Sequence, residues 1–285
     1  MFSVCRTHTS KHISQALFEK KYRASKHEDH LQEMFADGTL LMDTENEVIG
    51  QVNGLAVLTV GDYMFGKPSR ITANTFLGKN GIINIERETK MSGTTHSKGV
   101  LTLSGYLGHK YAQGRPLTLT ASLTFEQLYD GVDGDSASST ELYAILSSLA
   151  DAPIKQYIAV TGSVNQKGEI QPIGGVTQKI EGFFAVCKIK GLNGKQGVMI
   201  PHQNITNLTL NNEVVEAVKT QQFHIFAIKT VDEGIEVLTG IPAGKPDQQG
   251  NYPPNTINHL VTKKPKQYSD TLVKLGKVAE AEINK

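Results

Sequence analysis

Ser136 and Lys179 are the residues of this chain whose surroundings invite chemistry. Ser136 ends a tight turn, Gly131-Val-Asp133-Gly134-Asp135, and the residues after it read as a helix. Asp133 or Asp135 is a natural N-cap for that helix. Ser136 then falls in its first turn, where backbone N–H groups have no intrahelical acceptor. Donors around Asp135 and Ser136, with the positive end of the helix dipole, would stabilise an oxyanion formed on a substrate carbonyl. Capping explains the same loop composition equally well, so the turn is only half of an argument.

Lys179 supplies the other half. It follows the break Pro172-Ile173-Gly174-Gly175 and points along the apolar stripe Val176, Ile180, Phe183, Phe184 and Cys187 of a second helix. Burial disfavours the ammonium and lowers the pKa of a lysine, which is the condition for a neutral amine base near pH 7. The alternative is a lysine at the stripe edge, snorkelling to water beside an acid such as Glu181. Taken together, a serine at one helix start and a desolvated lysine on another make the Ser–Lys variant of nucleophilic catalysis. The amine takes the hydroxyl proton and returns it to the leaving amine. Thr161, which ends a strand ahead of the lysine, could orient the amine through its hydroxyl; it is equally an ordinary β-branched strand residue.

These residues need elements to hold them. Residues 1–44 are polar and helical in pattern, with Ile13, Leu17, Leu31 and Phe35 as scattered apolar anchors, too few to fold alone. Residues 45–241 form the body. Strands are expected over Val48–Val60, Ser69–Leu77, Ile82–Arg87, Leu117–Glu126, Gln156–Gly162, Gly168–Pro172, Gly197–Ile200 and Phe223–Ile228, with a hairpin turn at Gln166-Lys167-Gly168. Helices are expected over Ser97–Tyr111, Ser136–Ala150, Val176–Lys190 and Glu213–Thr220; the second carries the stripe Leu142, Ile145, Leu146 and Leu149. Strands come in a run before helices interleave, which points to an α+β or mixed α/β sandwich. Residues 242–285 open within the Pro/Gly/Asn-rich stretch IPAGKPDQQGNYPPN, which starts at Ile241 and reads as a linker, and end in a polar, Lys-rich helix over Ser269–Ile283.

Composition narrows the function. The 285 residues carry 29 Lys+Arg against 28 Asp+Glu, a net charge of +1, where a dedicated nucleic-acid binder would show a basic excess. Cys5 and Cys187 match no metal or redox spacing and read as reduced thiols. The histidines, among them His96, His109, His202 and His224, show no metal-ligand spacing, so no metal is expected and packing or surface roles are assigned to them. Glu126 and Asp130 read as solvated loop acids. No secretory segment or run long enough to cross a bilayer occurs, so a cytoplasmic location is expected.

The segment from Phe125 through Gly131, Asp133, Gly134 and Asp135 to Ser136-Ala-Ser resembles the nucleophile loop of Lon proteases, in the B-type form with Asp rather than Pro before the serine. The stretch from Val160-Thr161 through Gly174-Gly175 to Lys179-Ile180 is similar to the threonine–hairpin–lysine segment of the same family, and the interval of 43 residues between Ser136 and Lys179 matches it. The resemblance extends from about Val48 to Gly240. It implies a serine endopeptidase with a Ser136–Lys179 dyad, Thr161 in the network around the lysine, and Gly134 and Asp135 supporting the loop. It also implies six-membered rings with an inner chamber, and unfolded or damaged proteins as substrates. Family members carry an ATPase module ahead of this domain, and residues 1–44 resemble the last helices of its small subdomain. ATP and Mg are expected only with that module: Gly191-Leu-Asn-Gly194-Lys195-Gln lacks the spacing and hydroxyl of a phosphate loop, so this chain is expected neither to bind nor to hydrolyse ATP. Two rival readings are a Lon-like ring-forming scaffold without peptidase activity and a nucleic-acid-binding domain. The strand ending at Phe125 is a further expectation, as an edge onto which a substrate peptide adds.

Overall fold

The computed structural model describes residues 9–113, 119–265, 267, 268 and 271. Two helices, α1 (Ser10–Ala24) and α2 (Lys26–Ala36), lead into strands β1 (Glu47–Val48), β2 (Gln51–Val60), β3 (Tyr63–Phe76) and β4 (Gly81–Asn84). Helices α3 (Ile85–Glu88) and α4 (Thr94–Tyr111) come next, then β5 (Thr120–Phe125) and α5 (Ser138–Ala150). Short strands β6 (Ile154–Lys155), β7 (Ile158–Val160), β8 (Ser163–Val164) and β9 (Ile170–Gln171) precede α6 (Val176–Lys190). The body closes with β10 (Gly197–Pro201), a 3-10 turn at His202–Asn207, α7 (Asn212–Lys219), β11 (His224–Ile228) and α8 (Val231–Thr239). Residues 257–265 are helical again.

Seven strands make one mixed sheet in the order β11-β10-β7-β2-β3-β5-β4. β2, β3 and β5 pair antiparallel, whereas β11, β10, β7 and β2 run parallel to one another, as do β4 and β5. The α+β class expected from strands in a run before interleaved helices is the class observed. Alternate residues of the central strands serve opposite faces: Ile158 and Val160 join one core and Ala159 the other, and Met199 opposes Val198 and Ile200. Strands so buried read as continuous apolar runs, as β10 does. One face carries α5, with Leu142, Ile145, Leu146 and Leu149 all buried; the other carries α6, with Val176, Ile180, Phe183, Phe184 and Cys187.

Several boundaries differ from expectation for local reasons. β3 begins at Tyr63 instead of Ser69, because register with β2 (Leu55 opposite Pro68, Val57 opposite Gly66) carries residues whose own strand preference is poor. The strand expected over Ile82–Arg87 stops at Asn84, whose side-chain oxygen accepts the Arg87 amide at 2.8 Å and caps α3. The stretch read as a linker folds back on the body: Ile257 N donates to Pro242 O at 3.0 Å, and Ala243, Ile257 and Val261 are buried in the larger core. The tail helix expected over 269–283 lies outside the described residues except for Thr271, and so do Cys5 and the first residues of the strand expected from Leu117. Among the described residues, no helix is long and apolar enough to cross a membrane.

Candidate active site

Lys179 owes its position to a pair of glycines. A Cβ on Gly182 of α6 would lie 2.6 Å from Gly66 O of β3, and one on Gly66 would lie 2.1 Å from Gln178 O. With no Cβ at either position, α6 rests on β3 backbone to backbone, and Lys179 turns inward to 2% exposure. Burial pulls its pKa down to about 8, and the Asp135 carboxylate opposes that fall in part. Glu181, the acid considered as its surface partner, instead accepts the Asn211 amide at 2.8 Å.

The amine finds two hydroxyls. Lys179 Nζ lies 2.8 Å from Ser136 Oγ and 3.0 Å from Thr161 Oγ1. Thr161 follows directly on β7 and is fixed by its amide, which donates to Met199 O at 3.1 Å. Its hydroxyl donates to Ser136 O at 3.3 Å, and the Gly162 amide donates to the same carbonyl at 2.8 Å. A hydroxyl that spends its proton on a carbonyl can only accept from the amine. A neutral amine donating to Thr161 therefore keeps its lone pair for the Ser136 proton. The three side chains come from three layers: Lys179 from the α6 face, Thr161 from the end of the sheet, and Ser136 from the loop leading into α5, where Ala137 joins the opposite core.

The nucleophile loop departs from the expected geometry. α5 starts at Ser138, so Ser136 sits in the turn ahead of the helix, held by the bond from Ser138 N to Asp135 O at 3.0 Å. Neither expected cap serves α5. Asp133 accepts the amides of Thr95 and His96, each at 3.2 Å, and so caps α4; Asp135 accepts the Ser163 hydroxyl at 2.8 Å. The start of α5 is tied to the neighbouring strands instead: Ser138 Oγ accepts Val164 N at 3.0 Å, and Ser139 Oγ donates to Gly162 O at 2.7 Å. Gly134 takes φ +86°, the left-handed backbone that lets the loop reverse. Among the described residues none accepts a hydrogen bond from the Asp135 or Ser136 amide, and Ser136 is half-buried. A serine hydroxyl beside a buried amine, with two uncommitted amides at hand, can attack a carbonyl and hold the resulting oxyanion.

Beside Asp135, a cavity of about 400 Å³ opens between α4 and the β8–β9 hairpin, lined by Lys98, Thr102, Ser163, Gln166 and Lys167 among others. The strand proposed as a peptide edge is closed: β5 pairs with β3 on one side and β4 on the other. Glu126 accepts the Thr72 hydroxyl at 2.6 Å, and Asp130 is exposed 3.9 Å from Lys67. Burial pushes the Cys187 thiol up. No group of three or more His, Cys, Asp or Glu among the described residues is placed to hold a metal ion.

Two residues behind the loop escaped sequence reasoning. His96, read as a scattered histidine, is 1% exposed, and its Nε2 lies 3.1 Å from Oε1 of Glu141, which is fully buried on α5. The only signal for Glu141 is that it is the one charged residue in SSTELYAILSSLA.

Residues 131–240 match the family model described as the Lon protease (S16) C-terminal proteolytic domain. Over 237 residues the chain is 39% identical to a protein of Escherichia coli (strain K12) named "Putative Lon protease homolog", which covers 82% of this chain and 40% of that protein. A protein of the same name from Haemophilus influenzae is 40% identical over 201 residues, 70% of this chain and 33% of that one. The Archaeal Lon protease of Pyrococcus abyssi is 31% identical over 195 residues, 68% of this chain and 18% of that one. The chain thus spans 40% or less of the length of each of these relatives.

Proposed function

The chain belongs to the Lon protease family through residues 131–240, and from that premise we propose that it is a serine endopeptidase acting through a Ser136–Lys179 dyad. The observation that carries the reading is the 2.8 Å contact between Ser136 Oγ and the amine of a lysine only 2% exposed. Neutral Lys179 accepts the Ser136 proton as Oγ attacks the peptide carbonyl. The negative oxygen of the tetrahedral intermediate is met by the amides of Asp135 and Ser136. Collapse expels the amine half of the substrate, which takes its proton from Lys179, and leaves an ester on Ser136. Water, deprotonated by Lys179, then attacks the ester, and collapse frees the carboxylate half as Lys179 returns the proton to Ser136 Oγ. Thr161 keeps the amine aimed throughout, as a positioning group.

In this reading the B-type loop, with Asp135 before the serine, sets the field at the amine. Unfolded or damaged polypeptides are the substrates, since a half-buried serine beside an open cleft needs an extended backbone to reach it. Self-association into six-membered rings and coupling to ATP through an ATPase module belong to the same proposal, and neither enters the bond-breaking steps above. A buried amine beside a serine hydroxyl has no use in a ring-forming scaffold without peptidase chemistry, so the scaffold reading gains no support.

The test is cleavage of casein without ATP by the parent chain and by Ser136→Ala and Lys179→Ala. Activity in the parent that vanishes in both variants supports the dyad. Activity surviving Ser136→Ala overturns it.

A further inference from the structure

Asp133 stands a few residues ahead of Ser136, and its carboxylate leaves the nucleophile loop to serve another helix. Oδ1 accepts the amides of Thr95 and His96, each at 3.2 Å, in the first turn of α4. Backbone pairing reinforces this: Val132 N donates to Met91 O at 2.9 Å, and Gly93 N donates to Val132 O at 2.8 Å. A Cβ on Gly93 would sit 2.3 Å from the Asp133 carboxyl carbon, so only glycine admits the approach.

His96 has a second hold on the same segment. Its ring Nε2 lies 3.1 Å from Glu141 Oε1 on the helix that follows Ser136, and Nδ1 lies 3.0 Å from Ser92 Oγ. One residue therefore grips the nucleophile segment on both sides of the serine, by its amide upstream and by its imidazole downstream. The groups facing it are known element by element. Glu141 comes from α5, Glu86 from α3, Asp133 from the loop, and the edge-on ring of Phe125 from β5. Asn84 Nδ2 donates to Glu141 Oε1 at 3.1 Å, and Glu86 Oε1 accepts from Thr124 Oγ1 and Phe125 N, each at 2.8 Å. Glu86 Oε2 and Glu141 Oε2 are buried without a hydrogen-bond partner among the described residues. Three carboxyl groups thus surround a single imidazole, and buried acids need a compensating charge or a proton.

We propose that His96 is a positioning residue for Ser136, its amide holding Asp133 and its imidazolium holding Glu141 on the two sides of the serine, and that deprotonation of the ring lets go of Glu141 and loosens the loop. Burial opposes the charge on His96. The hydrogen bond to Glu141 and the carboxylates of Glu141, Glu86 and Asp133 outweigh it, and the pKa of the imidazole is raised. With the folded value above the unfolded one, the clamp contributes fully below the ordinary histidine range and is lost as pH rises through the folded value. The release runs against the titration of Lys179, whose amine becomes a base as pH rises.

The inference rests on the peptidase reading only for the meaning of Ser136, so its test avoids peptidase activity. Amide hydrogen exchange of Val132, Ser138 and Ser139, whose amides donate to Met91 O, Asp135 O and Gly162 O on either side of the serine, is measured in the full chain from about pH 5.5 to about pH 8.5, a window centred on histidine titration, as protection relative to intrinsic exchange. The His96 ring resonances are followed by NMR in the same samples. In the parent, protection of the loop falls about tenfold as the ring loses its proton, while the β10 amides hold. In His96→Gln, which keeps a donor but no charge, protection is low and independent of pH. In Glu141→Gln, which removes the need for the charge, protection stays high across the range. Superimposable loop profiles for the parent and His96→Gln overturn the proposal. Should His96→Gln not fold, Glu141→Gln decides alone, because a parent-like pH dependence in that variant overturns it equally.

Discussion

Lys179 Nζ stands 2.8 Å from Ser136 Oγ across 43 residues of chain. Each partner is fixed by backbone packing and not by the other. Gly66 and Gly182 seat the lysine helix, while the Gly162 amide and the Thr161 hydroxyl pin the serine carbonyl. Removing either side chain of the pair should therefore leave the other in place, which makes substitutions informative.

Lys179→Met fills the same space without the amine. Protein-substrate cleavage should fall at least about 10³-fold, the scale on which a proton-transfer partner contributes. Stability should move the other way. Holding a protonated amine in this site at neutral pH costs about 3 kcal/mol for a pKa brought from 10.5 to about 8. The cost is complete below the folded value and vanishes once pH passes the unfolded one. Lys179→Met should thus melt above the parent at pH 7, with the gap narrowing as pH rises from about 8. A lower melting temperature at pH 7 would count against a desolvated ammonium.

The pH profile of kcat/KM on an unstructured peptide should climb with a limb near pH 8, where Lys179 loses its proton. The Asp135 carboxylate holds that value up. Asp135→Asn should therefore move the limb to lower pH, and an unmoved limb would assign it to another group.

Thr161→Val deletes the hydroxyl that accepts from the amine at 3.0 Å while keeping the branched shape. The loss of one aiming hydrogen bond of about 1–1.5 kcal/mol corresponds to roughly tenfold in kcat. Thr161→Ser should restore most of the rate. Equal rates for valine and threonine at this position would remove Thr161 from the network.

Gly66→Ala drives a methyl group into Gln178 O, and Gly182→Ala drives one into Gly66 O. Overpacking of this kind costs about 1–3 kcal/mol, and each variant should melt several degrees lower. Cleavage should fall as well, because α6 can clear the clash only by lifting Lys179 from Ser136. Loss of stability at undiminished specific activity would show that the seat of α6 is not what aims the amine.

Sequence legibility followed the range of the interactions. The stripes of α5 and α6 were readable because a helix repeats its buried face within a few residues, and the repeat put Lys179 on the stripe while leaving burial and snorkelling both open. α8 was missed although its start carries a readable cap: Thr230 Oγ1 accepts Glu233 N at 3.2 Å, the spacing of a capping box. The role of Asp133 was not readable, since a local rule assigns it to the nearest helix whereas the amides it caps lie far upstream. His96 and Glu141 are 45 residues apart, and no periodicity links them. What the stripes could supply were the faces on which the serine and the lysine ride. What they could not supply was the clamp behind the loop.

The serine, the threonine and the lysine are carried by separate layers of one sandwich, with the sheet between two independent cores. A chain emerging from synthesis, or one half melted, holds a serine on one partly built face or a lysine on the other. The pair exists only when both faces have closed. Under the proposed dyad, peptide-bond chemistry therefore waits on the closure of both faces, and a half-built copy is without it.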